Sequence, residues 1–188
     1  MKFINRAALI VAILLVSVAA MAQIRMNISP KFILLGRDNV KKDLALNADQ
    51  TKKIKALLDT VMKDDGNGHL MMNITPDTSM DELESGVAKV LSGPQNKRLY
   101  EIWLQTQGGM ALADPHIAKE LGLTKDQNQK VQDIQTDMQQ EIMNKAQASG
   151  GRLRLEPGFK DGFAKQMLAV LTADQKTKFE KLQGKKLV

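Results

Sequence analysis

The stretch "LTADQKTKFEKLQ" (171–183) starts like many helices, and its first five residues decide how the rest of the chain is read. Thr172 caps a helix, because its hydroxyl accepts from a backbone N–H of the first turn. Gln175, three residues on, reaches back to the cap's own N–H, so two donors that a helix start leaves orphaned are satisfied together. Asp174 stands near the positive end of the helix dipole. The chain writes nearly the same five residues three more times, as "LTKDQ" (123–127), "LNADQ" (46–50) and "LSGPQ" (91–95). The motif residues are therefore Leu46, Asn47 and Gln50; Leu91, Ser92 and Gln95; Leu123, Thr124 and Gln127; and Leu171, Thr172 and Gln175. Seven residues past each cap stands Ile54, Leu99, Val131 or Phe179, and ten past it Leu57, Ile102, Ile134 or Leu182. That spacing puts the apolar residues on one helical face. Four helices are expected to begin with the same cap and bury the same face.

The copies fall into pairs. Residues 40–57, "VKKDLALNADQTKKIKAL", align with 117–134, "IAKELGLTKDQNQKVQDI", and six of the eighteen positions are identical. "VAKVLSGPQNKRL" (87–99) likewise matches "MLAVLTADQKTKF" (167–179). This reads as an internal duplication, one half over 38–107 and the other over 115–184, after an N-terminal segment 23–37. The halves are expected to form one cooperative domain over 23–188. In the second half, Asp114 and Pro115 open a short helix that Gly122 can close with a left-handed C-cap. The first half has Ala45 where Gly122 stands, which predicts a less sharply stopped elbow. Long helices are expected over about 48–64 and 125–147, each followed by a breaker-rich linker, 64–79 and 148–159. "HLMMNIT" (69–75) suits a brief extended piece, but one such run cannot build a sheet alone. The expected class is all-α, made of helical hairpins with capped elbows.

The N-terminus carries a different message. "MKFINR" is a short basic region, residues 7–20 are an apolar core, and "AMA" (20–22) is a cleavage signal. The apolar run is too short to span a bilayer comfortably. A secretory signal peptide over 1–22 is expected, cut between Ala22 and Gln23, with the mature chain periplasmic or secreted. Loss of Lys2 and Arg6 lowers the formal charge from +6 to +4. No second apolar stretch is long enough to cross a membrane. With no cysteine in the chain, neither a lipid-anchored thiol nor a disulfide framework is available. Stability must come from a hydrophobic core. Export and scattered rather than clustered charge argue against nucleic acid as a partner.

Repeated L-T-x-x-Q motifs, an export signal and a basic helical body resemble the LTxxQ-motif proteins of the bacterial envelope, including Spy- and CpxP-like chaperones and stress adaptors and a zinc-resistance relative. Leu123–Gln127 and Leu171–Gln175 match the motif fully; the copy at 46–50 departs at Asn47, and the copy at 91–95 departs at Ser92 and adds Pro94. The resemblance implies ATP-independent holding of unfolded or envelope proteins, and a cradle-shaped homodimer. Familiar members carry two motif copies. Four copies would supply the units of a comparable cradle within one chain.

Catalysis has little to stand on. His69 and His116 are the only imidazoles, neither lies in an H-E-x-x-H pattern, and no nucleophile–base pair is suggested by spacing. No catalytic residue, cofactor or metal ligand is assigned. "DDGNG" (64–68) misplaces its acids for a calcium loop, and the tracts that zinc would use are absent. Nine methionines remain after Met1 and Met21 are removed; they suit core filling, with adaptable binding surface and a soft copper site at Met71–Met72 as the other readings. Tyr100 and Trp103 stand on one helix, where one is expected in the core and the other at its rim. The leading expectation is an exported, non-catalytic chaperone or stress adaptor. The alternatives are a periplasmic metal-responsive protein and a structural envelope component.

Overall fold

A computed structural model describes residues 30–64, 70–72, 79–149 and 155–188, so the expected signal peptide and residues 23–29 lie outside the described residues. A 3₁₀ segment, Lys31–Gly36, precedes α1 (Asp38–Asp43) and α2 (Ala48–Asp59). Strands β1 (Met62–Asp64) and β2 (Leu70–Met72) follow, then α3 (Met80–Val90) and α4 (Gly93–Gln107). A second 3₁₀ segment, Gly108–Ala113, leads to α5 (Pro115–Leu121), α6 (Lys125–Ala148), α7 (Phe159–Ala169) and α8 (Ala173–Leu182). The class is all-α, with one antiparallel ribbon in which Met62, Lys63 and Asp64 face Met72, Met71 and Leu70.

That ribbon corrects one boundary. A helix over about 48–64 was expected, yet α2 ends at Asp59 and Met62 opens a strand. The Thr60 hydroxyl donates to the Leu57 carbonyl at 2.7 Å, within the last turn. Side-chain bonds of this kind compete with continued helix, and the following Thr60–Val61 pair is β-branched. Leu70–Met72, within the run expected to form a brief extended piece, pairs with Met62–Asp64 from the end of the expected helix.

All four caps form as the motif spacing requires. Each cap side chain accepts from the backbone N–H three residues on, and each motif glutamine accepts from the cap's own N–H. Ile54, Leu99, Val131 and Phe179, seven residues past the caps, are all buried. At the ten-residue position Ile102 is buried, whereas Leu57, Ile134 and Leu182 are half-buried against the core.

The elbows before the motifs repeat as well. Gly122 takes a left-handed conformation, its N–H donating to the Lys119 carbonyl and the Leu123 N–H to the Ala118 carbonyl. In the first half Ala45 adopts φ of 47° and the same pair of bonds forms, from Ala45 to Lys42 and from Leu46 to Lys41. The elbow expected to be looser is as sharply stopped as its counterpart, because these bonds hold an alanine in a conformation that costs about 1–2 kcal/mol for an L-residue. Ala45→Gly is therefore expected to stabilise the protein by about 0.5–1 kcal/mol once the entropy of glycine is subtracted, and Gly122→Ala to destabilise it by about 1 kcal/mol. Urea unfolding midpoints of the two variants check the opposite signs.

One continuous core runs through both halves, from Phe32 and Leu35 in the first 3₁₀ segment to Met167 and Phe179 near the end. Its centre is the connector between the halves. Gly109, Ala111 and Leu112 of the second 3₁₀ segment are buried, and that segment packs against α4, α5, α6 and α7. A Cβ on Gly109 would stand 1.9 Å from the carbonyl oxygen of Ala164. Only a residue without a side chain lets α7 lie so close. Trp103 is buried and stacks on half-buried Tyr100 with ring centroids 5.9 Å apart, which is the core-and-rim division expected of the pair.

Candidate functional site

The motif glutamines do more than cap their own helices. Gln50 and Gln95 pair through their amides: Gln50 Nε2 donates to Gln95 Oε1 at 2.8 Å, and Gln95 Nε2 to Gln50 Oε1 at 3.2 Å. Each Nε2 also reaches the end of a helix before the partner's elbow, Gln50 to the Val90 carbonyl and Gln95 to that of Leu44, both at 3.0 Å. Each Oε1 also accepts from its own cap, from the N–H of Asn47 or Ser92. The second half repeats the arrangement. Gln127 Nε2 donates to Gln175 Oε1 at 2.6 Å and Gln175 Nε2 to Gln127 Oε1 at 3.1 Å. Their second donors go to the carbonyls of Val170 and Gly122, and their oxygens accept from the N–H groups of Thr124 and Thr172.

An amide side chain has two N–H donors and two acceptor lone pairs, and in every one of these four residues all are used. Each knot ties four helices, α1 to α4 in one half and α5 to α8 in the other. The twelve motif residues are thus brought together as two scaffold centres, with Leu91 and Leu171 buried and Leu46 and Leu123 half-buried beside them. No capacity remains in the glutamine amides for a ligand or a reaction.

A second contact ties the first half to the end of the chain. Arg98 grips Asp43 with two bonds, Nε to Oδ2 at 2.6 Å and Nη2 to Oδ1 at 3.1 Å, while Nη1 reaches Glu101 Oε2 and the Lys185 carbonyl. The guanidinium holds the Asp43 carboxyl below the usual carboxylate range and is itself raised by the same bond. At the matching place in the second half, Lys178 Nζ donates to the Glu120 carbonyl. Gln105 fastens residues 183–187 with bonds to the Gln183 and Lys185 carbonyls and from the Leu187 N–H. Burial pushes the Tyr100 hydroxyl up to about 12, helped by the carboxylates of Glu120 and Asp114.

Among the described residues, two surfaces stand out as able to receive something. One is a cleft of about 270 Å³ in the first half, floored by Leu35, Ile54 and Leu58 and walled by half-buried Leu46 and Met62. The other is the outer part of the α6–α7 hairpin. The continuous core reaches Ile134 and Met167 there but does not include Ile142, Met143, Phe159 or Phe163, all of them half-buried. The rings of Phe159 and Phe163 lie 5.4 Å apart, and Lys145 Nζ sits 5.7 Å from the Phe159 centroid. Among the described residues Val188 is the large apolar side chain that stands exposed, so any further apolar contact must be made by half-covered side chains such as these.

The methionines divide the same way: Met138 and Met167 are buried, whereas Met62, Met80, Met110 and Met143 are half-buried. His69 lies outside the described residues, as does any side-chain account of Met71 and Met72. Among the described residues no three His, Asp or Glu side chains are grouped as a metal site would need. No described helix is long and apolar enough to cross a membrane. The chain matches no family model, no curated protein and no solved structure.

Proposed function

We propose that the protein is an exported, non-catalytic binding protein that holds unfolded or envelope polypeptides, as an ATP-independent chaperone or stress adaptor. The observation that carries this reading is the half-covered apolar seam of the outer α6–α7 hairpin. Ile142, Met143, Phe159 and Phe163 are only half-buried and lie beyond the continuous core, with Lys145 over one ring and exposed Lys160 and Lys165 on the same hairpin. Flexible thioether and aromatic groups suit a surface that must accept many sequences, and the lysines suit acidic flanks. The glutamine amides of the motif are fully engaged in the scaffold, and this reading assigns recognition to the hairpin.

The test is suppression of aggregation of a chemically denatured protein. Equimolar protein is expected to suppress light scattering, and the double variant Phe159→Ser, Phe163→Ser to lose most of that effect while its circular dichroism stays helical. Absence of suppression at several-fold molar excess sinks the proposal. Unchanged suppression by the double variant moves the client surface elsewhere.

A further inference from the structure

Beyond α8 the chain returns to α4 of the first half, where four hydrogen bonds from two α4 side chains hold it. Gln105 Nε2 donates to the carbonyls of Gln183 and Lys185 at 2.6 and 2.7 Å, and its Oε1 accepts from the Leu187 N–H at 2.9 Å. Arg98 Nη1 donates to the Lys185 carbonyl at 2.6 Å. All four bonds end on main chain. Bonds to the carbonyl of one residue and the N–H of the residue two further on are those that a residue of a parallel β-strand makes with its neighbour. The Gln105 amide thus stands in for a strand. Of the side chains held there, Leu187 is half-buried against the core, and Lys185 and Lys186 are exposed.

The scaffold does not require this set of residues. When the alignment of 87–99 with 167–179 is carried two residues on, Arg98 and Glu101 stand opposite Lys178 and Lys181. The second half builds the same cap and glutamine pair with those lysines in place, Lys178 bonded to the Glu120 carbonyl and Lys181 exposed. In the first half Arg98 is fixed by two bonds to Asp43 and one to Glu101. One Nη1 hydrogen is left over, already aimed at a passing carbonyl.

We propose that this face of α4 is a peptide-binding site that takes an extended polypeptide segment by its main chain and one aliphatic side chain, with residues 183–187 as an internal ligand that such a segment displaces. Main-chain bonds supply affinity without demanding a sequence, and the place of Leu187 selects an aliphatic residue. The resident segment is short, and the chain reaches it through Gly184 at φ of 61°. A Cβ on Gly184 would stand 2.3 Å from Glu101 Oε2, so a substitution there loosens the segment without touching Arg98 or Gln105. This face shares no residue with the seam of the α6–α7 hairpin, and either can bind whether or not the other does.

The probe is a fluorescein-labelled peptide with the sequence of residues 182–188, LQGKKLV, titrated with the purified protein and followed by anisotropy. The parent is expected to bind it weakly, because the tethered segment competes at high effective concentration. Leu187→Ser and Gly184→Ala, which weaken only the resident segment, are each expected to tighten binding about ten-fold. Adding Gln105→Leu to either variant is expected to abolish it. A peptide with serine for both lysines is expected to bind comparably, and one N-methylated at the leucine nitrogen about ten-fold more weakly. The proposal is overturned if neither loosened variant, its circular dichroism still helical, binds more tightly than the parent. Unchanged binding after Gln105→Leu, or equal affinity for the N-methylated peptide, overturns it as well.

Discussion

Gly109→Ala is expected to destabilise the protein by about 3–5 kcal/mol, which lowers the melting temperature by roughly 10 °C or more. Adding a methyl group to a packed core ordinarily costs less, because neighbouring side chains shift. Here the obstacle is backbone. The new Cβ would lie 1.9 Å from the Ala164 oxygen, 2.7 Å from the Ala164 carbonyl carbon and 2.9 Å from Leu168 Cγ. Relief requires α7 to move as a body away from the central 3₁₀ segment, which unpacks Met167 and opens the middle of the shared core. Thermal melting followed by circular dichroism measures the effect. A melting temperature within two or three degrees of the parent would show that α7 is not seated on this glycine.

Gln127→Glu separates two accounts of the same motif. If the glutamine only closed a capping box, glutamate would serve equally well, since it accepts from the cap N–H and suits the positive end of the helix dipole. In the knot the change removes both donors of Gln127 Nε2. A carboxylate oxygen would then face the Gln175 Oε1 and the Val170 carbonyl, which lie 2.6 and 3.0 Å from that nitrogen. Rotating the Gln175 amide does not help, because its oxygen is needed by the Thr172 N–H and its nitrogen by the Gly122 carbonyl. Two lost hydrogen bonds and two acceptors set against a charge, less the gain at the helix end, give a loss of about 2–3 kcal/mol.

Much of this architecture was legible in the sequence, and the reasons are local. The caps Asn47, Ser92, Thr124 and Thr172 signal themselves through chemistry within three residues, and Ile54, Leu99, Val131 and Phe179 follow from helical spacing. The left-handed turn at Gly122 is written in its residue type. The equivalent turn at Ala45 is not, because hydrogen bonds around it, including the one from Gln95 to the Leu44 carbonyl across the fold, hold it against local preference. The ribbon at Met62–Asp64 was missed for a related reason, since strand pairing depends on a partner segment rather than on the helix-like pattern of its own residues. "GGMALA" (108–113) falls between the two halves marked by the repeats, and its burial shows only when α7 is laid across Gly109.

The glutamine pairing was the least visible feature of all. A capping box accounts for Gln50, Gln95, Gln127 and Gln175 so completely that nothing prompts a search for further partners. One signal was present: each of the four motifs has glutamine at its last position, although a capping box accepts glutamate equally. A reading from caps alone leaves that uniformity unexplained. Donors aimed at a second glutamine and at a carbonyl across the fold explain it, because glutamate has none to offer.

The most direct test of this account is the urea unfolding midpoint of Gln127→Glu at neutral pH, measured beside the parent protein. Pairing across the fold predicts a lower midpoint corresponding to a loss of about 2–3 kcal/mol. A midpoint equal to or above that of the parent would mean that the motif acts only within its own helix, and would contradict the claim that paired glutamines hold each half together.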